Sequence, residues 1–169
     1  MFVDKIEIEL VSGNGGNGLT SFRKEAHVPL GGPYGGDGGK GGDIIFKADS
    51  HKSTLLDLRY NKILKADNGE HGKTKKMHGR SGKDLVLRVP IGTVVTDLET
   101  GDIIADLTEV GQEETILRGG KGGRGNARFA TPNNPAPHFS EKGELGEHKR
   151  FLIELKLLAE VGLIGYPSV

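Results

Sequence analysis

Gly35-Gly36-Asp37-Gly38-Gly39-Lys40-Gly41-Gly42 repeats a glycine doublet every three residues. Polyproline II also turns once per three residues, and it makes no hydrogen bonds within itself. A glycine at every third position strips one edge of such a helix of side chains. Helices stripped in this way can pack backbone to backbone, assisted by weak Cα–H···O contacts. Gly119-Gly120-Lys121-Gly122-Gly123-Arg124-Gly125 carries the same spacing. A flexible linker is the plainer alternative. Linkers usually add serine, however, and these runs and their flanks interleave Asp, Lys, Arg, Pro and Tyr. Collagen is excluded because the period fails after a few triplets.

Residues 13–42 hold 12 glycines, residues 68–83 hold four and residues 119–125 hold five, so three excursions carry 21 of the 28 in the chain. Between them the pattern is that of strands. Ile6, Ile8 and Leu10 alternate with Glu7 and Glu9, the period of a half-buried strand. Further strands are predicted over residues 43–48, 85–89, 93–98, 102–107 and 115–118, with a last one from Phe151 to Leu158. Glu99-Thr100-Gly101 supplies a hairpin turn, and Val110-Gly111-Gln112 turns the chain again. One or two helical turns fit residues 52–60, and residues 131–137 read as a proline-rich loop. Many short strands without a long amphipathic helix predict a mainly β sandwich or barrel, with the glycines on projections.

Leu, Ile, Val and Phe account for 45 of 169 residues, above the roughly 20% below which disorder is the default. There are no cysteines, which excludes a disulfide framework and a thiolate metal site. The first ten residues are charged throughout and lack an apolar signal core, and no apolar run reaches membrane-spanning length. A monomeric cytoplasmic protein with no membrane contact is the expectation.

Gly13-x-Gly15-x-x-Gly18 matches a dinucleotide fingerprint, but no helix opens after it and no βαβ unit follows. The six histidines show no ligand spacing, so no metal site is expected, and His71 and His78 read as solvated polar residues. No nucleophile elbow or carboxylate pair is present, so no catalytic residue is assigned.

The net charge of zero conceals segregation. Residues 61–83 carry a net +5, residues 118–128 hold four cations and no acid, and residues 97–114 hold seven acids and no base. Lys73, Lys75, Lys76 and Arg80, and separately Lys121, Arg124 and Arg128, alternate with glycines, with Tyr60 and Phe129 nearby. Long cations on an unencumbered backbone can follow a phosphate chain; an ordinary solvated loop is the plainer alternative. At the C-terminus, the apolar strand leads into Gly165-Tyr166-Pro167-Ser168-Val169. That is how a phosphate-binding loop opens, here without the Gly-Lys-Ser/Thr that would hold phosphate and Mg²⁺; the plainer alternative is a chance glycine-containing tail. The chain itself is expected to bind rather than catalyse, with no cofactor of its own.

Taken together, the chain resembles the Obg family of GTPases. The resemblance rests on Phe2-Val3-Asp4, Gly13-Asn14-Gly15-Gly16-Asn17-Gly18 and Ser21-Phe22-Arg23-Lys24-Glu25. It continues through residues 31–42, Gly122-Gly123-Arg124-Gly125-Asn126 and the tail from Gly162 to Val169. It implies glycine-rich polyproline II helices projecting from a small β-barrel over residues 1–158, with residues 159–169 beginning a GTP-binding domain. It also implies a role in large ribosomal subunit assembly, with the projections contacting rRNA, and GTP and Mg²⁺ as cofactors of the longer parent. The candidate RNA-binding residues are then Arg23, Lys24, Lys40, Lys73, Lys75, Lys76, Arg80, Lys83, Lys121, Arg124 and Arg128. A rival class is a protein-interaction module that presents the acidic 97–114 region to regulatory partners.

Overall fold

The computed structural model describes residues 2–24 and 31–156. Eight strands lie in two mixed sheets: β1 (Phe2–Val11), β2 (Ile44–Ala48), β3 (Ile63–Lys65), β4 (Leu85–Val89), β5 (Thr93–Asp97), β6 (Ile103–Leu107), β7 (Glu113–Leu117) and β8 (His148–Lys156). One sheet runs β3-β1-β8-β5-β6 and the other β4-β2-β7. The period-two strands put Ile6, Ile8 and Leu10 of β1 and Phe151, Ile153 and Leu155 of β8 into a single core. Ile44 and Phe46 of β2, with Leu87, Val89 and Leu117, meet them from the other sheet. Fully burying such side chains stabilises by about 1.5–3 kcal/mol each. The mainly β expectation holds; the two sheets share a core, and no ladder joins them among the described residues.

Strand positions follow the sequence closely, and the only α-helix among the described residues is α1 (Leu56–Arg59), inside the expected 52–60 window. Glu99-Thr100-Gly101 does close a hairpin between β5 and β6, with Gly101 at φ 77°. The turn at Gly111 (φ 82°) behaves differently. It carries the chain from β6 in one sheet to β7 in the other, so those two strands are not a hydrogen-bonded pair. β3 is only three residues long and pairs parallel with β1; it has too few residues to show a period.

The glycine excursions form one bundle. Residues 12–20, 35–42, 67–73, 77–83, 119–125 and 140–146 run side by side, joined by backbone hydrogen bonds recurring every three residues. Gly13, Gly16 and Leu19 donate to Gly42, Gly39 and Gly36, and Gly36, Gly39 and Gly42 donate in turn to Lys73, Glu70 and Asp67. That three-residue recurrence is the polyproline II period, with hydrogen bonds made between segments rather than within them.

The doublets have a geometric cause. A Cβ on Gly35, Gly38 or Gly41 would meet the carbonyl of Leu19, Gly16 or Gly13 at 1.8–2.0 Å, whereas one on Gly36, Gly39 or Gly42 would meet Met77, Arg80 or Lys83 at 2.0–2.1 Å. Each doublet thus clears two edges of a three-edged helix, and the third residue (Asp37, Lys40) carries the outward side chain. None of these glycines has a positive φ. Glycine is required here for proximity, not for backbone freedom. A sixth segment went unrecognised in the sequence: Gly143 and Gly146, three apart, lie against Gly15 and Ser12.

Candidate nucleic-acid interface

One end of the bundle enters the sheets at residues 12, 43, 66, 84, 118 and 147. Among the described residues, the other end is made of three connections: residues 20–24 with 31–34, the turn at 74–77, and residues 126–140. The Lys76 N–H donates to the Tyr34 carbonyl at 2.8 Å, which ties the second connection to the first. Asn126, fully buried, ties the first to the third. Its Oδ1 accepts from the N–H groups of Gly35 (2.9 Å) and Ser21 (3.3 Å), and its Nδ2 donates to the carbonyls of Ser21 and Pro137, both at 3.0 Å. A buried amide satisfied this completely fixes loop positions, because any shift leaves a polar group unpaired.

The bundle also sorts the sequence-predicted cations. Arg23, Lys24, Lys75, Lys76 and Arg128 lie on the far connections, with Lys73 and Arg124 at the last shaft positions. Lys40, Arg80 and Lys121 sit along the shaft. Lys83 is at the sheet end, where its carbonyl accepts from Asp67. Lys75 and Lys76 occupy the left-handed region, at φ 62° and 55°, a conformation that costs a side-chain-bearing residue about 1–2 kcal/mol.

Five of the eleven cations are neutralised by neighbours the sequence reading did not pair with them. Lys40 meets Asp43 at 2.6 Å, Arg80 meets Glu70 at 3.2 Å, Arg128 meets Asp37 at 2.8 Å, and Lys73 lies 3.8 Å from Glu70. Arg124 grips Glu141 with two hydrogen bonds of 2.7 and 3.0 Å. Those bonds, with one from the Arg124 backbone N–H, pull the Glu141 carboxyl down to about 2. Burial disfavours ionisation of Asp37, but the Gly125 N–H, Arg128 and His78 outweigh it and hold that carboxyl below its usual range. The Arg23 guanidinium lies 5.9 Å from the Tyr34 ring centroid. Among the described residues, Lys24, Lys75, Lys76, Lys83 and Lys121 are in no ion pair.

The histidines are less free than expected. His71 Nδ1 accepts the Asn17 N–H at 2.8 Å, and His78 Nδ1 accepts the Asp37 N–H at 3.1 Å, so both rings help to satisfy the shaft backbone. Two ring pairs flank residues 138 and 139: Phe22 with His138 at 4.7 Å, and Phe129 with Phe139 at 4.8 Å. Of these, the sequence reading singled out only Phe129, and its other aromatic, Tyr60, lies just after α1, away from this end.

No group of three or more His, Asp or Glu among the described residues is arranged to hold a metal ion. No helix among them is long and apolar enough to cross a membrane. The predicted phosphate-loop positions Gly165, Tyr166, Pro167, Ser168 and Val169, the strand end at Leu157 and Leu158, and Glu25 lie outside the described residues.

Comparison with known proteins agrees with this architecture. The GTP1/OBG family profile matches residues 3–157. A GTPase Obg of Bacillus licheniformis is 59% identical over 169 residues, which is 100% of this chain and 40% of the relative. A GTPase Obg of Staphylococcus aureus is 56% identical over the same length, covering 39% of that relative. The chain therefore spans about two-fifths of the length of the curated relatives it matches, and it belongs to the GTP1/OBG family.

Proposed function

We propose that this chain is the ribosome-docking, RNA-contacting N-terminal domain of a GTPase that acts in large ribosomal subunit assembly. The observation that carries this reading is the clustering of Arg23, Lys24, Lys75 and Lys76 on mutually fastened loops at the end of a shaft whose segments pack backbone to backbone. A rigid projection can deliver cations into a groove of folded RNA, whereas a flexible glycine tether would lose affinity to loop entropy. Lys75 and Lys76, in no ion pair among the described residues and held in a strained turn, supply point charges for backbone phosphates. Arg124 and Arg128, already bound by Glu141 and Asp37, position the loops more than they neutralise RNA.

On this reading residues 1–158 are the docking domain, and residues 159–169 begin the GTP-binding domain of the parent. Gly165, Tyr166, Pro167, Ser168 and Val169 would contribute the opening of its phosphate loop. GTP and Mg²⁺ belong to that parent, where they would supply nucleotide hydrolysis, while this chain contributes binding and orientation.

A Lys24→Glu, Lys75→Glu, Lys76→Glu triple variant tests the reading by co-sedimentation with large ribosomal subunits. The variant should keep its circular dichroism spectrum and lose subunit binding. Wild-type binding should fall steeply with salt, and each phosphate contact removed should lower the logarithmic salt slope by about 1. Unchanged co-sedimentation of the folded variant would rule out the RNA face.

A second reading rests on the acidic surface along β6 and the turn that follows it. Ile103, at the start of that strand, and Val110, in the turn, are 68% and 63% exposed, among Asp102, Asp106 and Glu109. A partner protein docking on that patch predicts that reversing these three acids matters more than reversing the lysines.

A further inference from the structure

We infer that Phe129 and Phe139, at the far end of the glycine bundle, form a stacking platform for an unpaired nucleobase. This rests on the RNA-contacting reading above, and it names which part of the RNA the loops take.

The two rings lie 4.8 Å apart at an interplanar angle of 48°. Phe139 is 51% exposed, and neither ring belongs to the apolar core, so core burial does not explain their pairing. The Arg124 guanidinium sits 4.7 Å from the Phe129 centroid and is fixed there by its two hydrogen bonds to Glu141. One ring of the pair therefore already bears a cation, and its partner presents open surface.

The backbone on both sides of Phe139 is anchored. The Pro137 carbonyl is held by buried Asn126, and the Ser140 hydroxyl donates to the Gly18 carbonyl at 3.1 Å. An exposed ring on an immobilised backbone loses little conformational freedom on binding. Arg23, Lys24, Lys75 and Lys76 surround this end with positive charge, which matches a phosphate-bearing partner in preference to an apolar peptide. A base inside a duplex has both faces covered by its neighbours, so the ring can take only a base that is unpaired and turned out of the stack. Aromatic stacking on a base is worth about 1–3 kcal/mol, equivalent to roughly 5- to 150-fold in affinity.

The test uses this chain with two probes: an RNA hairpin carrying 2-aminopurine in its loop, and a blunt RNA duplex of equal length. Wild type should quench the 2-aminopurine and bind the hairpin more tightly than the duplex. Phe139→Ala should abolish the quenching and weaken hairpin binding about tenfold without changing duplex binding, while Phe139→Tyr should keep both properties. Quenching that survives Phe139→Ala, or an equal loss on hairpin and duplex, overturns the platform. If the Lys24/Lys75/Lys76 variant loses both RNAs while Phe139→Ala loses neither, the RNA face stands and the stacking site falls. If wild type binds neither probe, both fall together, and the acidic-patch reading gains.

Discussion

The side-chain Oδ1 of Asn126 accepts the backbone N–H of Gly35 at 2.9 Å, across 91 residues of sequence, where the bundle meets its far connections. A Cβ on Gly35 would come within 2.5 Å of the same oxygen. The two residues require each other: the amide needs a neighbour with no side chain, and the glycine N–H needs an acceptor that can reach it. Asn126→Ala leaves two N–H groups and two carbonyls without this partner, and each unsatisfied buried group costs about 1–3 kcal/mol. With partial rescue by water, a loss of about 2–4 kcal/mol is expected in urea unfolding. Asn126→Asp keeps the acceptor and loses the donor, and it should fall between wild type and Ala. Hydrogen exchange at Gly35 checks that the damage starts there.

Gly38→Ala and Gly122→Ala should both open the bundle, because the new Cβ would lie 1.9 Å from the carbonyls of Gly16 and Gly38 respectively. Real Cβ atoms essentially never come within 3.0 Å, and the obstructing atom is backbone in both cases. Overpacking here should cost about 3 kcal/mol or more. Gly32→Ala is the control, since its Cβ would meet nothing within 4 Å. A melting temperature unaffected in Gly38→Ala would contradict this close packing.

Stability should fall on acidification. Asp37, Asp43, Asp97 and Glu141 are all held below their ordinary range, with Glu141 at about 2. A carboxyl depressed by folding stabilises fully above its unfolded value and loses that contribution as pH drops through its folded value. For Glu141 the window runs from 4.5 down to about 2. Denaturant midpoints should be flat near neutrality and decline within that window, and Glu141→Gln should decline less steeply there.

Lys75→Asn separates charge from fold. Asparagine tolerates the left-handed region better than lysine does, so the substitution should be neutral or stabilise by up to about 1 kcal/mol. It should nevertheless weaken RNA binding and lower the salt slope by about 1. A folded variant with unchanged affinity would remove Lys75 from the interface.

The strands were legible because alternation such as Ile6-Glu7-Ile8-Glu9-Leu10 is a local record of which face meets the core. The bundle was legible for the same reason: glycine doublets at Gly35–Gly36, Gly38–Gly39 and Gly41–Gly42 record two crowded edges of a three-residue turn. Where the local record thinned, reading failed. Gly143 and Gly146 preserve the spacing of three without doublets, because an outer segment has fewer neighbours to clear.

The sequence by itself therefore determined that a mainly β body carries glycine-packed projections, since those demands repeat along the chain at short range. Only the tertiary structure decided which cations stay available. Lys75 and Lys76 are left without an ion pair among the described residues, while Arg124 and Arg128 are taken by Glu141 and Asp37, partners 17 and 91 residues away. It also decided that Phe129 meets Phe139 and that Asn126 locks two loops together. Such pairings depend on how antiparallel segments align across the bundle, and nothing periodic in the chain encodes that alignment.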